Sequence, residues 1–486
     1  MGTETAATGF MLIDGQLANA SDGKTFSSVS PFTEQPIGWV PEATDADASR
    51  AIAAARRAFD TTDWSRDAEL RVHCLEQLRA GIARRREEFI DLIVRDVGNP
   101  VSSAAMGQVD IPLDVLNSMI GFGRDYEFEW VIKPNQFIAN DRLVVREPYG
   151  VVAAITPYNV PLADLIVKLG PALAAGNTVI LKPSPAAPLC AALVARLIVE
   201  ETDFPPGVVN IITSSQAAVG QQVVADTRVD MVAFTGSPEV GRSILAASAP
   251  EIKKVVLELG GKSALIVLDE SSLEAALSWG ATQVFHMAGQ GCTKCTRFLV
   301  PHQLMERAQS LVVEAAKQVP WGDPEDPATV MGPLITEAQR TRVLNAINAA
   351  EEAGNHPILG GGIPAESATG YFVEPTVFAN VPRDSRIAVN EVFGPVALLM
   401  SFSDDADAIA LANDSIFGLS GAVWAADPSR ALDVARKVRT GTMSVNGASW
   451  HSSDTPFGGF KQSGLGRTKG RLGFEEFTQT KVIGLS

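Results

Sequence analysis

The chain has 486 residues, of which 46% are hydrophobic and 20% are charged. A globular chain of this length exceeds what one hydrophobic core accommodates, so two or more domains are expected. The net charge of −16 repels polyanions, and no basic stretch is interleaved with aromatic residues. We therefore expect no nucleic-acid partner.

The start of the chain, its apolar stretches and its cysteines bear on the cellular location that we expect for the protein. Residues 1–16 lack the positively charged start and apolar run of a secretion signal, so we expect the protein to stay in the cytoplasm. No apolar stretch approaches the ~20 residues that span a bilayer, so no membrane partner is expected. Four cysteines are too few for a disulfide framework in a chain of this size.

In chain order, the first predicted elements are helices in the Ala/Arg/Glu-rich block 45–97, which we expect to pack on a sheet. Residues 125–149 then alternate aromatic and β-branched residues with charged ones, a pattern typical of two strands. An isolated two-stranded hairpin is unstable, so this excursion is expected to pair with another subunit.

From 151 to 269, short β-branched runs alternate with helical patterns, which predicts a mainly parallel, doubly wound sheet. The runs are VVAAIT, TVILKPS, VVNIIT, MVAFTG and SALIVLD. A second alternation of strands and helices follows between 273 and 445 and predicts a second α/β domain. The predicted fold class is thus α/β, with two doubly wound domains.

The strand MVAF runs into Gly236 and Ser237, followed by a proline and a further glycine. Serine and proline favour the start of a helix, whose free N–H groups suit a phosphate. The spacing is GSxxxG rather than GxGxxG, so a capped helix without a ligand is an equal alternative. Lys182 ends another strand, where it suits a ligand's ribose or phosphate, or is simply an exposed lysine.

Two further clusters carry candidate catalytic groups. Glu258 lies within an apolar run before two glycines, so its carboxyl is either a buried structural group or one used for proton transfer. Cys292 follows the run Gly289-Gln290-Gly291, whose two glycines permit close approach to a thiol. Flanking Lys294 and Arg297 favour a thiolate there. The alternative is an inert, buried cysteine.

Cys292 and Cys295 form a CxxC pair, which suits half of a zinc site or a redox pair. Because no second CxxC or HxxxH accompanies it, we expect no metal. Oxidation would join the two thiols in a reversible disulfide, whereas in the alternative Cys295 is a passive neighbour. Two other polar groups stand near predicted turns, Asn159 in TPYNVPL and Glu391 in NEVFGPV. Each also suits a plain turn-forming role.

Together these patterns and the run PFGGFKQSGLGR resemble the aldehyde dehydrogenase superfamily, over nearly the whole chain and in the right order. The resemblance implies that Cys292 attacks an aldehyde, with the oxyanion held by the Asn159 amide and the Cys292 N–H. It implies a thioester that Glu258 hydrolyses as general base, which yields a carboxylic acid.

The resemblance also assigns cofactor contacts. It implies that NAD is bound by residues on both predicted sheets: Thr156, Pro157, Lys182, Gly236, Ser237, Glu391 and Phe393. Many relatives carry a glutamate three residues after the strand-end lysine, where this chain has Pro185. NAD is the first expectation, and NADP stays open because no carboxylate at that position repels a 2′-phosphate.

By the same resemblance, the chain divides into three parts. These are a cofactor domain of 1–124 and 149–258, a catalytic domain of 259–460, and an oligomerisation arm of 125–148 with the tail 461–486. The arm implies a homodimer or homotetramer.

Alignment to the family suggests a substrate pocket of Val160, Ala163, Asp164, Val167, Gly291, Thr293, Trp450, His451 and Phe457. Several are small, so we expect a roomy pocket for a bulky or aromatic aldehyde. Asp164 and His451 either recognise a polar substituent or are a solvent-facing aspartate and a packing histidine. Two alternative functions stay open. One is a semialdehyde dehydrogenase acting on a carboxylated substrate, for which no arginine could be placed in the substrate-entry channel. The other is a catalytically silent scaffold, suggested by the unusual Gly291 and Lys294.

Overall fold

The computed structural model describes residues 7–486, so the first six residues of the segment used to predict localisation lie outside it. The strands of the described residues are, in chain order, β1 Ala7–Thr8, β2 Met11–Ile13, β3 Gln16–Ala18, β4 Thr25–Val29, β5 Pro36–Pro41, β6 Glu129–Ile132, β7 Arg142–Pro148, β8 Val151–Ile155, β9 Thr178–Lys182, β10 Val209–Ile211, β11 Met231–Thr235, β12 Lys254–Glu258, β13 Ser263–Val267, β14 Cys295–Pro301, β15 Pro357–Leu359, β16 Thr376–Phe378, β17 Val396–Phe402, β18 Gly421–Trp424, β19 Ser444–Val445, β20 Gly464–Leu465 and β21 Thr478–Gly484.

Helices connect most of these strands. The α-helices are α1 Asp45–Thr61, α2 Ala68–Arg84, α3 Arg86–Val97, α4 Val101–Ser103, α5 Ile111–Asp125, α6 Pro161–Ala174, α7 Leu189–Glu201, α8 Ala217–Ala225, α9 Pro238–Ser248, α10 Leu273–Phe285, α11 Met305–Lys317, α12 Glu337–Glu352, α13 Arg386–Val389, α14 Asp405–Asn413, α15 Pro428–Ala435 and α16 Gly470–Glu475. A π-helical turn at Ala104–Asp110 leads into α5, and short 3₁₀ turns lie at Ala249–Glu251, Glu270–Ser272, His286–Gly289, His302–Leu304 and Lys461–Ser463.

The first sheet has eight strands in the order β20-β12-β11-β8-β9-β10-β2-β3. Its five central strands, β12 to β10, are parallel, and the outer strands run antiparallel. The predicted helical block 45–97 forms α1, α2 and α3, and their apolar faces enter the cores on the two faces of this sheet. The chain order reverses between β8 and β11, the point where doubly wound sheets bind ligands.

The second sheet has seven strands in the order β15-β16-β17-β14-β13-β18-β19, parallel from β16 to β19. The prediction of two doubly wound α/β domains is therefore confirmed. One strand was misplaced: SALIVLD, which forms β13, belongs to this second sheet. The first sheet instead continues through β12, whose apolar run had suggested a buried carboxylate.

The excursion at 125–149 forms β6 and β7, as predicted. The pair is not an isolated hairpin, because β21 of the same chain joins β7 in an antiparallel three-stranded sheet. The instability of a lone hairpin therefore gives no reason to invoke a second subunit. A further small sheet, β1-β5-β4, was not predicted. Within residues 7–486, none of the helices has both the length and the apolar character needed to cross a bilayer.

Candidate active site

The predicted cofactor residues of the first sheet gather at the carboxyl ends of its central strands. Thr156 and Pro157 follow β8, Lys182 is the last residue of β9, and Gly236 and Ser237 follow β11. These ends flank the reversal between β8 and β11. The structure therefore brings together five residues that lie up to 81 positions apart in the sequence (237 − 156).

Ser237 caps α9, as the sequence predicts. Its Oγ accepts a hydrogen bond from the N–H of Val240 at 3.3 Å, and Pro238 occupies the first helical position. Gly236 passes close to a ring, since a Cβ there would lie 2.4 Å from Phe234. Pro238 has no N–H, and the N–H groups of Val240 and Gly241 donate to Ser237, so the Glu239 N–H is left for an anion such as a phosphate group.

Lys182 is buried, and its Nζ donates a 3.1 Å hydrogen bond to the Ser214 carbonyl. Burial lowers the pKa of Lys182 to about 8, although nearby Glu42 opposes the shift. The Glu42 carboxylate accepts hydrogen bonds from the Ser214 hydroxyl at 2.5 Å and the Ser215 N–H at 2.9 Å. A carboxylate therefore lies beside this ammonium even though Pro185 supplies none.

The second sheet contributes through the amino ends of its strands, so Glu391 lies just before β17. The Gly261 N–H donates a 2.9 Å hydrogen bond to Glu391 Oε1, and a Cβ at Gly260 would lie 2.1 Å from Oε2. Burial raises the pKa of Glu391 to about 7. Phe393 has a positive φ of 54° and meets the Tyr158 ring edge-on at 6.1 Å. These groups form a cradle that fits a nicotinamide ribose and ring.

Cys292 lies just before β14 and is partly exposed. The chain reaches it through three successive left-handed residues, Met287, Ala288 and Gly289. A Cβ at Gly261 would lie only 2.4 Å from the Cys292 carbonyl oxygen. The glycine pair after Glu258 therefore lets the backbone of Cys292 pack directly against the turn that connects the two sheets.

The expectation that both flanking cations favour a thiolate is wrong for Arg297. Its guanidinium donates to the backbone carbonyls of Lys262, Leu411 and Ala412, at distances of 2.8–2.9 Å. Burial raises the pKa of Cys292 to about 12, with Glu391, Glu258 and Asp164 adding to the effect.

Lys294 and Gly291 are structurally coupled. A Cβ at Gly291 would lie 2.8 Å from Cε of Lys294, so the side chain of the lysine occupies the space that the glycine leaves. The Lys294 Nζ lies 3.1 Å from Nδ1 of His286, and burial lowers the pKa of Lys294 to about 8. The two residues that looked unusual in the sequence therefore form one local arrangement.

Glu258 ends β12 and is 4% exposed. Its Oε1 accepts a 3.5 Å hydrogen bond from the Thr468 hydroxyl, and its Oε2 has no hydrogen-bond partner among residues 7–486. Burial raises the pKa of Glu258 to about 8, while Lys168 opposes and Asp164 adds to this shift. A buried carboxyl with a free oxygen and a pKa near neutrality is suited to accept a proton.

Asp164 is not a solvent-facing aspartate, since the residue is 8% exposed. Its carboxylate pairs with Lys168 at 2.5 Å, one turn along α6, and accepts a 3.0 Å hydrogen bond from the Thr235 hydroxyl. Lys168 also donates to Thr235 at 2.6 Å. Asp164 is therefore engaged within the protein, and its charge acts on Glu258 and Cys292.

Asn159 lies between β8 and α6 and is held from both sides. Its backbone carbonyl accepts hydrogen bonds from the side-chain amides of Asn99 at 3.2 Å and Gln108 at 3.0 Å. Its side-chain Nδ2 donates to the Gln290 carbonyl at 2.9 Å. The second hydrogen on Nδ2 stays available at the loop that carries Cys292.

The remaining predicted pocket residues lie on two elements and the cysteine loop. Val160, Ala163 and Val167 share one partly exposed face at the start of α6, and Thr293 is also partly exposed. Trp450 stacks on Phe457 with ring centroids 5.7 Å apart and an interplanar angle of 8°. His451 is exposed and lies 3.2 Å from Lys469 Nζ, so it has a polar partner rather than a purely packing role.

Sequence reasoning missed several supporting residues. Asn99 and Gln108 carry no local signal, because their amides act through the fold on a residue more than 50 positions away. Lys168 had a usable signal, since a lysine four residues after an aspartate in an apolar helix predicts a buried pair. The other missed residues are Glu42, Gln290, Ser463, Thr468 and Lys469.

Ser463, in the PFGGFKQSGLGR run, links the two sheets. Its hydroxyl donates to the Gly260 carbonyl at 2.7 Å and accepts from the Gly418 N–H at 2.9 Å. Comparison with known proteins agrees with this combination of site and topology, because the model of the aldehyde dehydrogenase family matches residues 18–483. The chain belongs to the aldehyde dehydrogenase family. Its reaction class is the oxidation of an aldehyde.

Curated relatives cover nearly the whole aldehyde dehydrogenase fold of this chain. A 3-succinoylsemialdehyde-pyridine dehydrogenase from Pseudomonas sp is 39% identical, over 97% of both chains. The betaine aldehyde dehydrogenase of Bacillus subtilis (strain 168) is 37% identical, over 97% of this chain and 96% of that protein.

Solved aldehyde dehydrogenase structures agree equally well. The Mycobacterium tuberculosis aldehyde dehydrogenase complexed with NAD+ superposes with a TM-score of 0.95, at 36% identity and 99% coverage of both chains. A mutant aldehyde dehydrogenase C from Pseudomonas syringae, in complex with NAD+ and octanal, gives a TM-score of 0.93 at 36% identity. The match covers 98% of this chain and 96% of that one.

Proposed function

We propose that this protein oxidises an aldehyde to a carboxylic acid, with Cys292 as the nucleophile, Glu258 as the general base and NAD as the hydride acceptor. One observation carries the proposal. The thiol of Cys292, a partly exposed residue, lies within electrostatic reach of Glu258, whose Oε2 has no hydrogen-bond partner in the described chain. A thiol and a free base in one site are the pair that thioester chemistry needs.

The reaction begins when Cys292 loses its proton and its sulfur bonds to the aldehyde carbon. Burial holds the pKa of the thiol near 12, so the proton needs an acceptor, and Glu258 Oε2 provides one. The developing oxyanion receives hydrogen bonds from Nδ2 of Asn159 and the Cys292 N–H. NAD held by the residues at the ends of the two sheets would supply the hydride acceptor for the former aldehyde carbon, so that Cys292 carries the acyl group as a thioester.

Hydrolysis of that thioester then releases the acid. Glu258 first releases the thiol proton to solvent and then takes a proton from water as the water oxygen bonds to the acyl carbon. The sulfur leaves as a thiolate and takes that proton from Glu258, which restores the thiol. The overall balance is aldehyde, NAD+ and water in, and acid, NADH and a proton out. The pKa of about 8 at Glu258 keeps both of its protonation states accessible near neutral pH.

The cofactor proposal rests on the fit described above. Gly236 and Ser237 at the start of α9 suit the pyrophosphate, Lys182 suits the adenosine ribose, and Glu391 with Phe393 suits the nicotinamide ribose and ring. Thr156 and Pro157 complete the edge of β8. Two solved relatives, from M. tuberculosis and P. syringae, bind NAD+.

Glu42 favours NAD over NADP. Its carboxylate accepts a hydrogen bond from the Ser214 hydroxyl, and the Ser214 carbonyl accepts one from the Lys182 ammonium. A 2′-phosphate placed near Lys182 is therefore repelled by the negative charge of Glu42. The ratio of kcat/KM for NAD and NADP tests this. We expect NAD to be preferred, and Glu42→Gln to lower that preference, whereas an unchanged ratio in the variant would contradict the role of Glu42.

For the substrate, we propose a bulky or aromatic aldehyde. The Trp450–Phe457 ring stack offers a flat apolar surface, and the partly exposed side chains at the start of α6 include the small residue Ala163. Kinetics across aliphatic and aromatic aldehydes test the proposal, and a strong preference for acetaldehyde would contradict it. A second candidate is a semialdehyde, which the Lys469 ammonium near Phe457 favours.

A screen of aldehydes against NAD and NADP, read by the absorbance of the reduced nicotinamide, tests the activity itself. Cys292→Ala is the inactive comparison, and Cys74→Ala, in helix α2, is the matched cysteine control. We expect turnover that is lost only in the first variant. Absence of turnover with every aldehyde and both cofactors would support the catalytically silent scaffold.

We further propose that the β21-β7-β6 sheet, with 461–486 as its tail, mediates a homodimer or homotetramer. Large apolar side chains of this sheet are exposed, among them Trp130, Val131, Ile132, Val482 and Ile483. Such a patch favours contact with another chain. Light scattering would contradict this if the purified protein were a monomer. The division into 1–124 with 149–258 and 259–460 likewise stays a proposal.

A further inference from the structure

A buried lysine, Lys469, lies beside the proposed substrate channel and near Glu258 and Cys292. Lys469 is 6% exposed and immediately precedes α16. Its backbone has φ 58° and ψ 165°, a region that glycine enters freely and other residues enter only with strain. The fold therefore holds a long cationic side chain in a conformation that a glycine would adopt without strain.

The ammonium of Lys469 lacks an anionic partner. Its Nζ lies 3.2 Å from Nε2 of His451, and no carboxylate of the described residues lies within 4.0 Å of it. Partial desolvation of the otherwise exposed His451 ring, aided by Lys469, lowers its pKa to about 4, so the ring is neutral and accepts the hydrogen bond. Two of the three N–H donors on Lys469 remain free for a ligand.

Backbone contacts fix the position of this ammonium. Phe457 and Thr468 exchange two backbone hydrogen bonds of 2.7 Å, and the Gly470 N–H donates to the Ser453 carbonyl at 3.1 Å. These contacts join the loop that carries Trp450 and His451 to Lys469. The Lys469 Nζ consequently lies 5.4 Å from the centre of the Phe457 ring, on the wall of the proposed aldehyde channel.

The same strip of chain reaches the general base. Thr468, the neighbour of Lys469, donates its hydroxyl to Glu258 at 3.5 Å. Burial lowers the pKa of Lys469 to about 8, while the nearby groups Glu258 and Cys292 raise it. Lys469 is therefore close enough to the reacting groups to bind the distant end of a molecule whose carbonyl lies at Cys292.

We propose that Lys469 and His451 bind a carboxylate on the aldehyde substrate, at the end distant from the reacting carbonyl, with the apolar or aromatic body of the molecule against Trp450 and Phe457. This rests on the proposed function and names its substrate class. A buried ammonium with one neutral acceptor gains a counter-ion when such a substrate binds. A cationic aldehyde meets the same ammonium as a repulsive group.

Paired substrates test the proposal in the full-length protein. We compare 4-carboxybenzaldehyde with benzaldehyde, and succinic semialdehyde with butanal, in the wild type and in Lys469→Met. The carboxylated partner should have the higher kcat/KM in the wild type. The charged-to-neutral ratio should fall in the variant by about 10- to 100-fold, the range for a lost hydrogen bond to a charged group. Lys317→Met, at an exposed lysine on α11, should keep the wild-type ratio.

The pH dependence separates a binding role from a structural one. The titratable groups that face Lys469 are His451, Glu258 and Cys292. Because Lys469 has a pKa near 8 and binds only as an ammonium, the charged-to-neutral ratio should fall above pH 8 in the wild type and stay level in Lys469→Met. Using the ratio removes the shared titration of Glu258 and Cys292, which affects both substrates.

A binding measurement keeps the inference testable apart from turnover. Terephthalate should slow alkylation of Cys292 by iodoacetamide in the wild type more than benzamide does, and this difference should vanish in Lys469→Met. If neutral aldehydes were oxidised as efficiently as carboxylated ones, and terephthalate gave no protection, this inference would be overturned and the proposed function would stand. Absence of oxidation with every aldehyde would overturn the proposed function, and this inference with it.

Discussion

The Thr468 hydroxyl lies 3.5 Å from Glu258 Oε1, while Oε2 of the same carboxyl has no hydrogen-bond partner in the described chain. The single proton of that hydroxyl is shared between Oε1 and the Phe457 carbonyl oxygen at 3.4 Å, and Oε2 is free to move a proton. The pKa of about 8 places the titration of Glu258 within the working range of most enzymes.

Acid formation should therefore depend on pH through Glu258. The base acts as a carboxylate, so below pH 8 the rate of thioester hydrolysis should fall by about tenfold per pH unit. The measurement is kcat against pH under conditions where hydrolysis limits turnover. Glu258→Gln should lose this dependence along with about 10²–10⁴-fold in rate. A flat profile from pH 6 to pH 8 in the wild type would contradict the assignment.

The buried pair of Asp164 and Lys168 should tune this titration in opposite directions. Asp164 raises the pKa of Glu258 and Lys168 lowers it. Asp164→Asn should shift the acidic limb of the kcat profile to lower pH by about one unit, and Lys168→Met should shift it upward. Two shifts of the same sign would show that the pair acts on packing rather than on charge. Urea unfolding of both variants checks that each is folded.

Asn159 should contribute mainly to kcat. Removal of one oxyanion donor costs about 10²–10³-fold in kcat, so Asn159→Ala is expected to fall in that range with a much smaller change in KM. Asn117, an exposed residue of α5, provides the control Asn117→Ala, which should retain wild-type kinetics. If KM alone changed in Asn159→Ala, the amide would bind substrate in the ground state instead.

Gly261 should be required for the position of the nucleophile. A Cβ there would lie 2.4 Å from the Cys292 carbonyl oxygen, so Gly261→Ala must move the backbone that carries the thiol. A displacement of about 1 Å can cost on the order of 10²-fold in rate. Gly121→Ala is the matched control, because a Cβ at Gly121 in α5 meets nothing within 4 Å. Comparable activity of the two variants would contradict the role of this contact.

Periodicity alone predicted much of the fold. The strands that became β8, β9, β10 and β11 were identified because buried parallel strands read as short β-branched runs between helices. The assignment of SALIVLD to the first sheet was wrong because β12 and β13 are separated by only four residues. Local pattern does not reveal that the chain passes from one sheet to the other at Gly260 and Gly261.

The site was predictable where chemistry follows directly from local sequence. Cys292, Glu258 and Asn159 each stand beside glycine, proline or a strand end, and family resemblance connected them. Lys469 and Thr468 gave no such signal, because their roles arise from a backbone bridge to Phe457 and a hydrogen bond to Glu258. The spacing of Asp164 and Lys168 predicts a buried pair, but the sequence did not show that this pair acts on Glu258. The disulfide between Cys292 and Cys295 stays a hypothesis beside its alternative, a passive Cys295.

The central claim is that Cys292 carries the acyl group and Glu258 releases it. The most direct test is intact-protein and peptide mass spectrometry of Glu258→Gln, after the variant is mixed with NAD and an aldehyde that the wild type oxidises. We predict one equivalent of NADH per active site, and one acyl group added to the peptide that contains Cys292. Absence of the adduct during NADH formation, or an adduct on another residue, would contradict this account.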